Sequence, residues 1–277
     1  MLSKKIDFAI IIGVRNANPN GDPLNGNRPR VNYDGLGEIS DVCLKRKIRN
    51  RLLDDGECIL VQSDDYREDG WRSIKDRFDN NERIASLDKK SSSDEIADTA
   101  CKEWFDVRAF GQVLAFKGKN DKETGVSIAI RGPVSIQSAF SIDAVDVESL
   151  QITKSVNLET NKSDPSKKSG DTIGQKHRIN RGVYVTYGSI NRQLAEKTHF
   201  SDEDAEKLKK AILKLFENDE SSARPSGSME VIKVIWWTHT DQIVSSAKVH
   251  RSLKVNNDGS YTLTSIDGVK AEELDGK

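Results

Sequence analysis

The sequence predicts an α+β fold, a ferredoxin-like core of order βαββαβ interrupted by two polar insertions. Three observations carry this. Apolar residues recur with strand periodicity in three separated stretches, Ile6–Val14, Val183–Ile190 and Val231–Trp237. Two further stretches repeat at helical spacing behind a serine or aspartate cap. Apolar content falls over residues 57 to about 126 and 154–182, where charges and turn formers collect.

Taken in order, Ile6, Phe8, Ile10, Ile12 and Val14 mark the first strand. Residues 15–38 hold six asparagines, four glycines and three prolines, the composition of a long turn-rich loop. Ser40 or Asp41 then caps a helix whose apolar positions are Val42, Leu44, Ile48, Leu52 and Leu53, with Gly56 ending it. Lys45, Arg46, Lys47, Arg49 and Arg51 are expected to point largely outward. A short strand at Cys58–Val61, a helix over Asp94–Trp104 and a turn at Lys117–Gly125 are expected in the first insertion. Val126–Phe140 reads as one or two strands broken at Gly132-Pro133. Ser201 with Asp202, Glu203 and Asp204 starts the second core helix, carrying Ala205, Leu208, Ile212, Leu215 and Phe216. A hairpin of Lys248–Val255 with Tyr261–Ser265 turns at Asn257-Asp258-Gly259. Without the insertions the order is strand, helix, strand, strand, helix, strand, the plan of RNA-recognition domains and of many unrelated ones.

The chain has 277 residues, 35% hydrophobic and 31% charged, so polar partners or long loops are implied. No apolar run is long enough for a membrane span, and the first residues lack a signal-peptide pattern, so a cytoplasmic location is expected. Three scattered cysteines and four histidines form no zinc pattern. The net charge of −1 conceals segregation: +4 over residues 28–53, −8 over 54–106, +5 over 107–193 and −3 over 194–277. Such blocks suit a basic surface tracking a polyanion and an acidic surface meeting another copy. Chance partition onto solvated faces is the alternative.

The sharpest local feature is Lys45-Arg46-Lys47-x-Arg49-x-Arg51, cations at helical spacing able to line phosphates or to form a solvated face. Arg15, Asn16, Asn18, Asn20, Asn27, Arg28 and Arg30 place amides and guanidiniums in one loop, groups that bond phosphates and 2′-hydroxyls. Lys176-His177-Arg178-x-x-Arg181 is a further basic cluster. Trp236 and Trp237 point to opposite faces of a strand, one to the core and the other to an interface. Aromatic base-stacking signatures are missing, so base readout is not expected. No P-loop, GxSxG, HExxH or metal cluster is present, so neither catalysis nor a cofactor is expected. Asp22, Asp34 and Asp41 are isolated carboxylates near the first loop, able to orient Mg²⁺ or to cap a turn.

Four ordered motifs resemble the backbone subunit of type I CRISPR effector complexes (Cascade): Asn18-Pro19-Asn20-Gly21-Asp22-Pro23 followed by the basic helix; Asp106-Val107-Arg108-Ala109-Phe110-Gly111; Arg131-Gly132-Pro133-Val134; and Ser221-Ser222-Ala223-Arg224-Pro225-Ser226-Gly227. They span most of the chain and fit the type I-C form best, with type I-B a close relative. The resemblance implies a right-hand shape: an RNA-recognition-like palm (1–56, 126–150 and 183–245), fingers (57–125), a thumb (151–182) and a C-terminal hairpin and tail (246–277). It implies copies polymerised along one CRISPR RNA, other Cascade subunits (a guide-processing endonuclease subunit, a large subunit and small subunits), and target DNA paired to the guide. Carried over by position, Asn18, Asn20, Lys45, Lys47, Arg49 and Arg108 would bind RNA, joined by Arg131, Arg178, Arg181 and Arg224. Asp64, Asp65, Glu68 and Asp69 would face a neighbouring copy. The rival is the type III backbone subunit, which cuts target RNA with a loop aspartate and a divalent metal; Asp22 or Asp34 would serve. A stand-alone RNA-binding protein is a second rival.

Overall fold

The computed structural model describes residues 1–87, 91–116, 126–153, 173–240 and 242–277, with Ser155, Thr160, Asp164 and Ser166 besides. The turn expected at Lys117–Gly125 and most of the second insertion's tip lie outside the described residues.

Strand β1 (Ile6–Ala17) runs through the middle of a large antiparallel sheet. Its loop carries short strands β2 (Gly21–Asp22) and β3 (Arg28–Pro29), then β4 (Leu36–Ile39). Helix α1 (Asp41–Asp54) starts where expected, with the Ser40 side chain accepting from Cys43 N. Four helices follow: α2 (Ile74–Asp79), α3 (Glu82–Ala85), α4 (Ser93–Glu103) and α5 (Phe105–Phe110). The hairpin of β5 (Gly111–Phe116) and β6 (Val126–Arg131) completes this inserted unit. It has a small core of its own, around Leu60, Phe78, Cys101, Trp104, Leu114 and Ile128. No strand forms at Cys58–Val61: the Leu60 and Val61 N–H groups donate to the Asp106 carboxylate instead of to a sheet.

Strands β7 (Val134–Ile136), β8 (Ala139–Ala144) and β9 (Val147–Thr153) all pair with one long strand, β10 (Ile173–Ile190). This corrects the second polar excursion. Residues 173–182 are strand, continuous with the expected Val183–Ile190, and with β9 they form a two-stranded arm. Period-two reading missed this half because His177 and Ile179 are buried while Asn180 and Arg181 are exposed, so alternation breaks at the sheet end. Helices α6 (Arg192–Thr198) and α7 (Asp202–Leu213) follow; α7 opens with a capping box between Ser201 and Asp204. Strand β11 (Met229–His239) lies beside β1. Helix α8 (Ser246–His250) replaces the first half of the expected hairpin, because Ser245 caps it and Val249 is buried. The hairpin proper is β12 (Leu253–Val255) with β13 (Tyr261–Leu263), and β14 (Val269–Asp275) closes one edge of the sheet. The order across the sheet is β14-β11-β1-β10-β8-β4.

Both faces of β1 are buried. Phe8, Ile10, Ile12 and Val14 pack with Leu44, Ile48 and Leu52 of α1 and with Leu208 and Ile212 of α7. Ala9 and Ile11 face the other way, under α8 and the β12–β13 hairpin. The two tryptophans divide the same way: Trp236 stacks on Phe8 at 5.4 Å, and Trp237 lies under α8. Both are core residues, which corrects the interface expected of one of them; the C-terminal segment supplies the cover that a strand pattern cannot reveal. Among the described residues no helix is long and apolar enough to cross a membrane.

Glycine is required where β4 passes the Tyr184 side chain of β10. A Cβ on Gly37 would lie 2.8 Å from Tyr184 Cζ, and the fully buried Tyr184 has no room to withdraw. Gly37→Ala is expected to destabilise the protein by about 1–3 kcal/mol through overpacking. Urea melts compare it with wild type, and an unchanged midpoint would show that the ring yields.

Candidate nucleic-acid interface

The basic side of α1 is not an outward face. Only Arg46 is well exposed, at 51% of its side chain. Lys47 is 4% exposed, paired with Asp219 and set over the Phe216 ring. Burial lowers its pKa against the opposing pull of Asp219. Arg49 Nε donates to Asp106 at 2.9 Å and lies over Phe110; Arg51 pairs with Asp54. Lys45 bonds Asp41 at 3.0 Å, a compensating acid one turn back. The acids holding Lys47 and Arg49 come from segments 172 and 57 residues away. The outward expectation for these cations is therefore corrected.

The loop asparagines brace the chain. Asn18 Nδ2 donates to Asn27 O at 2.7 Å, and Asn18 is buried. Asn20 Oδ1 accepts from both Ser40 N and Ser40 Oγ, tying the loop to the start of α1. Asp22 accepts from Leu24 N and lies 3.6 Å from Arg30. Asp41 lies in the first turn of α1 and holds Lys45.

The other motifs also meet internal partners. Arg108 bonds Asp204 at 2.9 Å over the Phe105 ring. Gly111 sits at φ +76° where β5 crosses the Gly132 backbone, so the second and third motifs interlock with no space for a Cβ at either glycine. Arg131 is exposed on β6. Arg178 pairs with Glu148, and Arg224 with Asp219, the acid that also holds Lys47. In the acidic segment, Asp69 pairs with Arg77, Asp65 with Arg46 and Asp64 with Arg67.

What the fold brings together is at the open end of the sheet. The chain after β1 is zipped to the loop before β11: Arg15 N donates to Ser228 O and Asn18 N to Ala223 O, each at 2.8 Å. Across β1 and β10, Arg15 is the register partner of Arg181. Both are exposed, and neither has an ion-pair partner among the described residues, unlike Arg178 and Arg192. Both lie on the face that carries Ile11 and Val183, beyond the C-terminal cover. A cleft of about 270 Å³ opens there, lined by Gly13, Arg15, Arg181, Gly182, Ser228 and Glu230. Two guanidiniums side by side repel each other and favour an anion nearby; Asp258, which lines the same cleft, lies in the field of Arg181. Arg181 stood among the expected residues and Arg15 among the loop cations. Ser228 and Glu230 carried no sequence signal: one is a buried serine just before β11 and the other a lone exposed acid at its start.

Residues 4–272 match the family described as CRISPR-associated protein Cas7, and the chain belongs to that family. A CRISPR-associated protein Cas7 from Haloferax volcanii (strain DS2) is 27% identical over 232 residues, 80% of this chain and 66% of that protein; the chain thus spans just under two thirds of its relative's length. A solved chain in a CRISPR RNA-guided surveillance complex, pre-nicking, superposes with a TM-score of 0.50 at 14% identity, over 88% of this chain and 81% of that one. Another, in a CRISPR RNA-guided surveillance complex, gives 0.44 at 18% identity over 92% and 77%. The first likeness shows a shared mixed α/β fold with a large antiparallel sheet.

Proposed function

We propose that this Cas7-family chain is the guide-RNA-binding backbone subunit of a cytoplasmic type I surveillance complex, most like the type I-C form. Copies line up along one CRISPR RNA and hold its ribose-phosphate chain, leaving the bases to pair with target DNA. The other Cascade subunits complete the assembly. The observation that carries the reading is the pair of exposed arginines, Arg15 and Arg181, at the open end of the sheet. In this reading the palm is the sheet with α1 and α7, the fingers are the inserted unit with its own core, and the thumb is the β9–β10 arm. Arg131 and Arg46, both exposed, extend the basic path, while Lys47, Arg49, Arg108 and Arg224 shape it through internal ion pairs.

The subunit cuts nothing in this reading. Of the two loop carboxylates a nuclease could use, Asp22 accepts from Leu24 N and lies 3.6 Å from Arg30. Incubating assembled complex with complementary RNA and Mg²⁺ should leave the RNA intact; periodic cuts lost on Asp22→Ala or Asp34→Ala would overturn this part.

For the binding itself, Arg15→Ala with Arg181→Ala is expected to weaken RNA binding about tenfold or more at low salt, equally for all sequences. The slope of log K against log salt should fall by roughly one per arginine engaged. Fluorescence anisotropy at several salt concentrations reads both quantities, and an unchanged slope would refute the arginine pair as a phosphate contact.

A further inference from the structure

We infer that the cleft beside Arg15 and Arg181 selects ribose over deoxyribose, with Glu230 and Ser228 taking the 2′-hydroxyl of the nucleotide whose phosphate the arginines hold. This rests on the RNA-binding reading above and adds to it a means of telling RNA from DNA.

The cleft carries two kinds of unused polar group at fixed positions. Glu230 is the register partner of Gly13, two residues before Arg15 on the same strand. Its side chain lies across that glycine, with Cγ and Oε1 both 3.2 Å from where a Cβ on Gly13 would stand. The carboxylate therefore sits on the arginine face of the sheet, and among the described residues it has no ion-pair partner. Asp258, which also lines the cleft, differs: its oxygen already accepts from Ser260 N and Ser260 Oγ, and the carboxylate lies in the field of Arg181. Ser228 supplies the second observation. It lines the cleft at 8% exposure, and its buried Oγ has no hydrogen-bond partner. Its backbone is fully engaged, N–H to Pro225 O and carbonyl from Arg15 N, so the hydroxyl alone is unassigned. A buried polar atom without a partner is uncommon in a folded protein.

Together these groups describe a ligand with anionic oxygens at one end and a hydroxyl at the other. A phosphate meets the guanidiniums; a hydroxyl donates to Glu230 and accepts from Ser228 Oγ, which turns to it without giving up an internal bond. Free phosphate lacks the hydroxyl. Deoxyribose brings a CH₂ against the carboxylate, which loses water and gains no donor, so DNA is disfavoured by the same group that favours RNA.

The test compares the full-length protein on a uridine homopolymer, its 2′-deoxy counterpart and its 2′-O-methyl counterpart of equal length. Wild type should prefer RNA, and Ser228→Ala with Glu230→Ala should narrow the RNA-to-DNA affinity ratio by about three- to tenfold, partly by raising affinity for DNA. Ser228→Ala alone removes no internal hydrogen bond, so its melting temperature should match wild type and its smaller shift in the ratio is read free of folding effects. If the arginine variants weaken RNA binding while the ratio is the same in wild type and all Ser228 and Glu230 variants, sugar selection at this cleft is overturned and the RNA reading stands. If the arginine variants leave RNA binding unchanged, both fail.

Discussion

Asp106→Ala is expected to destabilise the protein by about 3–5 kcal/mol, the usual cost of stripping one partner from a buried charged network. Asp106 is fully enclosed and serves three donors at once: Leu60 N at 2.8 Å, Val61 N at 3.1 Å and Arg49 Nε at 2.9 Å. Alanine leaves two backbone N–H groups and one guanidinium without an acceptor in a place water does not reach. The same carboxylate joins three segments: α1 through Arg49, the chain entering the inserted unit through Leu60 and Val61, and α5 through itself. Its loss should therefore loosen the inserted unit from the sheet before the sheet melts. The expected fall in Tm is roughly 8–15 °C for a chain of this size. Asp106→Asn keeps one acceptor oxygen and should fall between the two. Calorimetry with amide exchange at residues 58–116 reads both effects; a Tm within about 2 °C of wild type would remove the network from the account.

Asp106 also shows what the sequence could and could not reveal. The core elements were legible because their signals are local. Alternation through Ile6–Val14, the Ser40 and Ser201 caps and the apolar stripe of α7 all state their own structure within a few residues. The fate of the charges was not legible, since each depends on a partner far along the chain. Lys47, Arg49 and Arg108 look like free cations beside their neighbours, and become ion-paired only when Asp219, Asp106 and Asp204 arrive. The same applies to the sheet's second face: α8 and β14 are too short to announce themselves, yet they bury Trp237. Asn18 and Asn20 brace the loop through Asn27 O and Ser40, partners that an amide in a sequence does not name. Arg15 and Arg181 escaped internal pairing because they sit where the sheet runs past its cover. The motifs pointed to the family, and the geometry shows which of the candidate cations are exposed and which are ion-paired.

A second large effect is expected at Asp7, and it depends on pH. This carboxylate is buried under α8, 2.7 Å from His239 Nε2 and 3.2 Å from Lys5 Nζ. His239 Nδ1 accepts from Val244 N, which places its proton on Nε2 and aims it at Asp7. His250 Nε2 stands 3.6 Å from the other carboxylate oxygen, stacked on Tyr187. Burial alone would raise the Asp7 pKa, but the contacts from His250, Ser246 and His239 and the Lys5 charge outweigh it and bring it from 3.8 to about 2. A depressed folded value means stability that is fully present above the unfolded pKa and lost as pH falls through the folded one. The whole contribution is about 2 kcal/mol, present at neutral pH, with roughly half gone by pH 3. Asp7→Asn removes the charge in both states and with it this dependence. Urea melts at about pH 5.5 and pH 3 should therefore show the stability gap between wild type and Asp7→Asn closing by about 1 kcal/mol. Asp7→Ala, which also leaves Lys5 and His239 facing an empty acceptor position, should lose about 3–5 kcal/mol near neutrality. Because the carboxylate joins the start of β1, the end of β11 and α8, that loss should free the C-terminal segment first and expose Trp237 to quenching by acrylamide. A gap that stays constant with pH would mean that neutral hydrogen bonds, and not the Asp7 charge, hold α8 on the sheet.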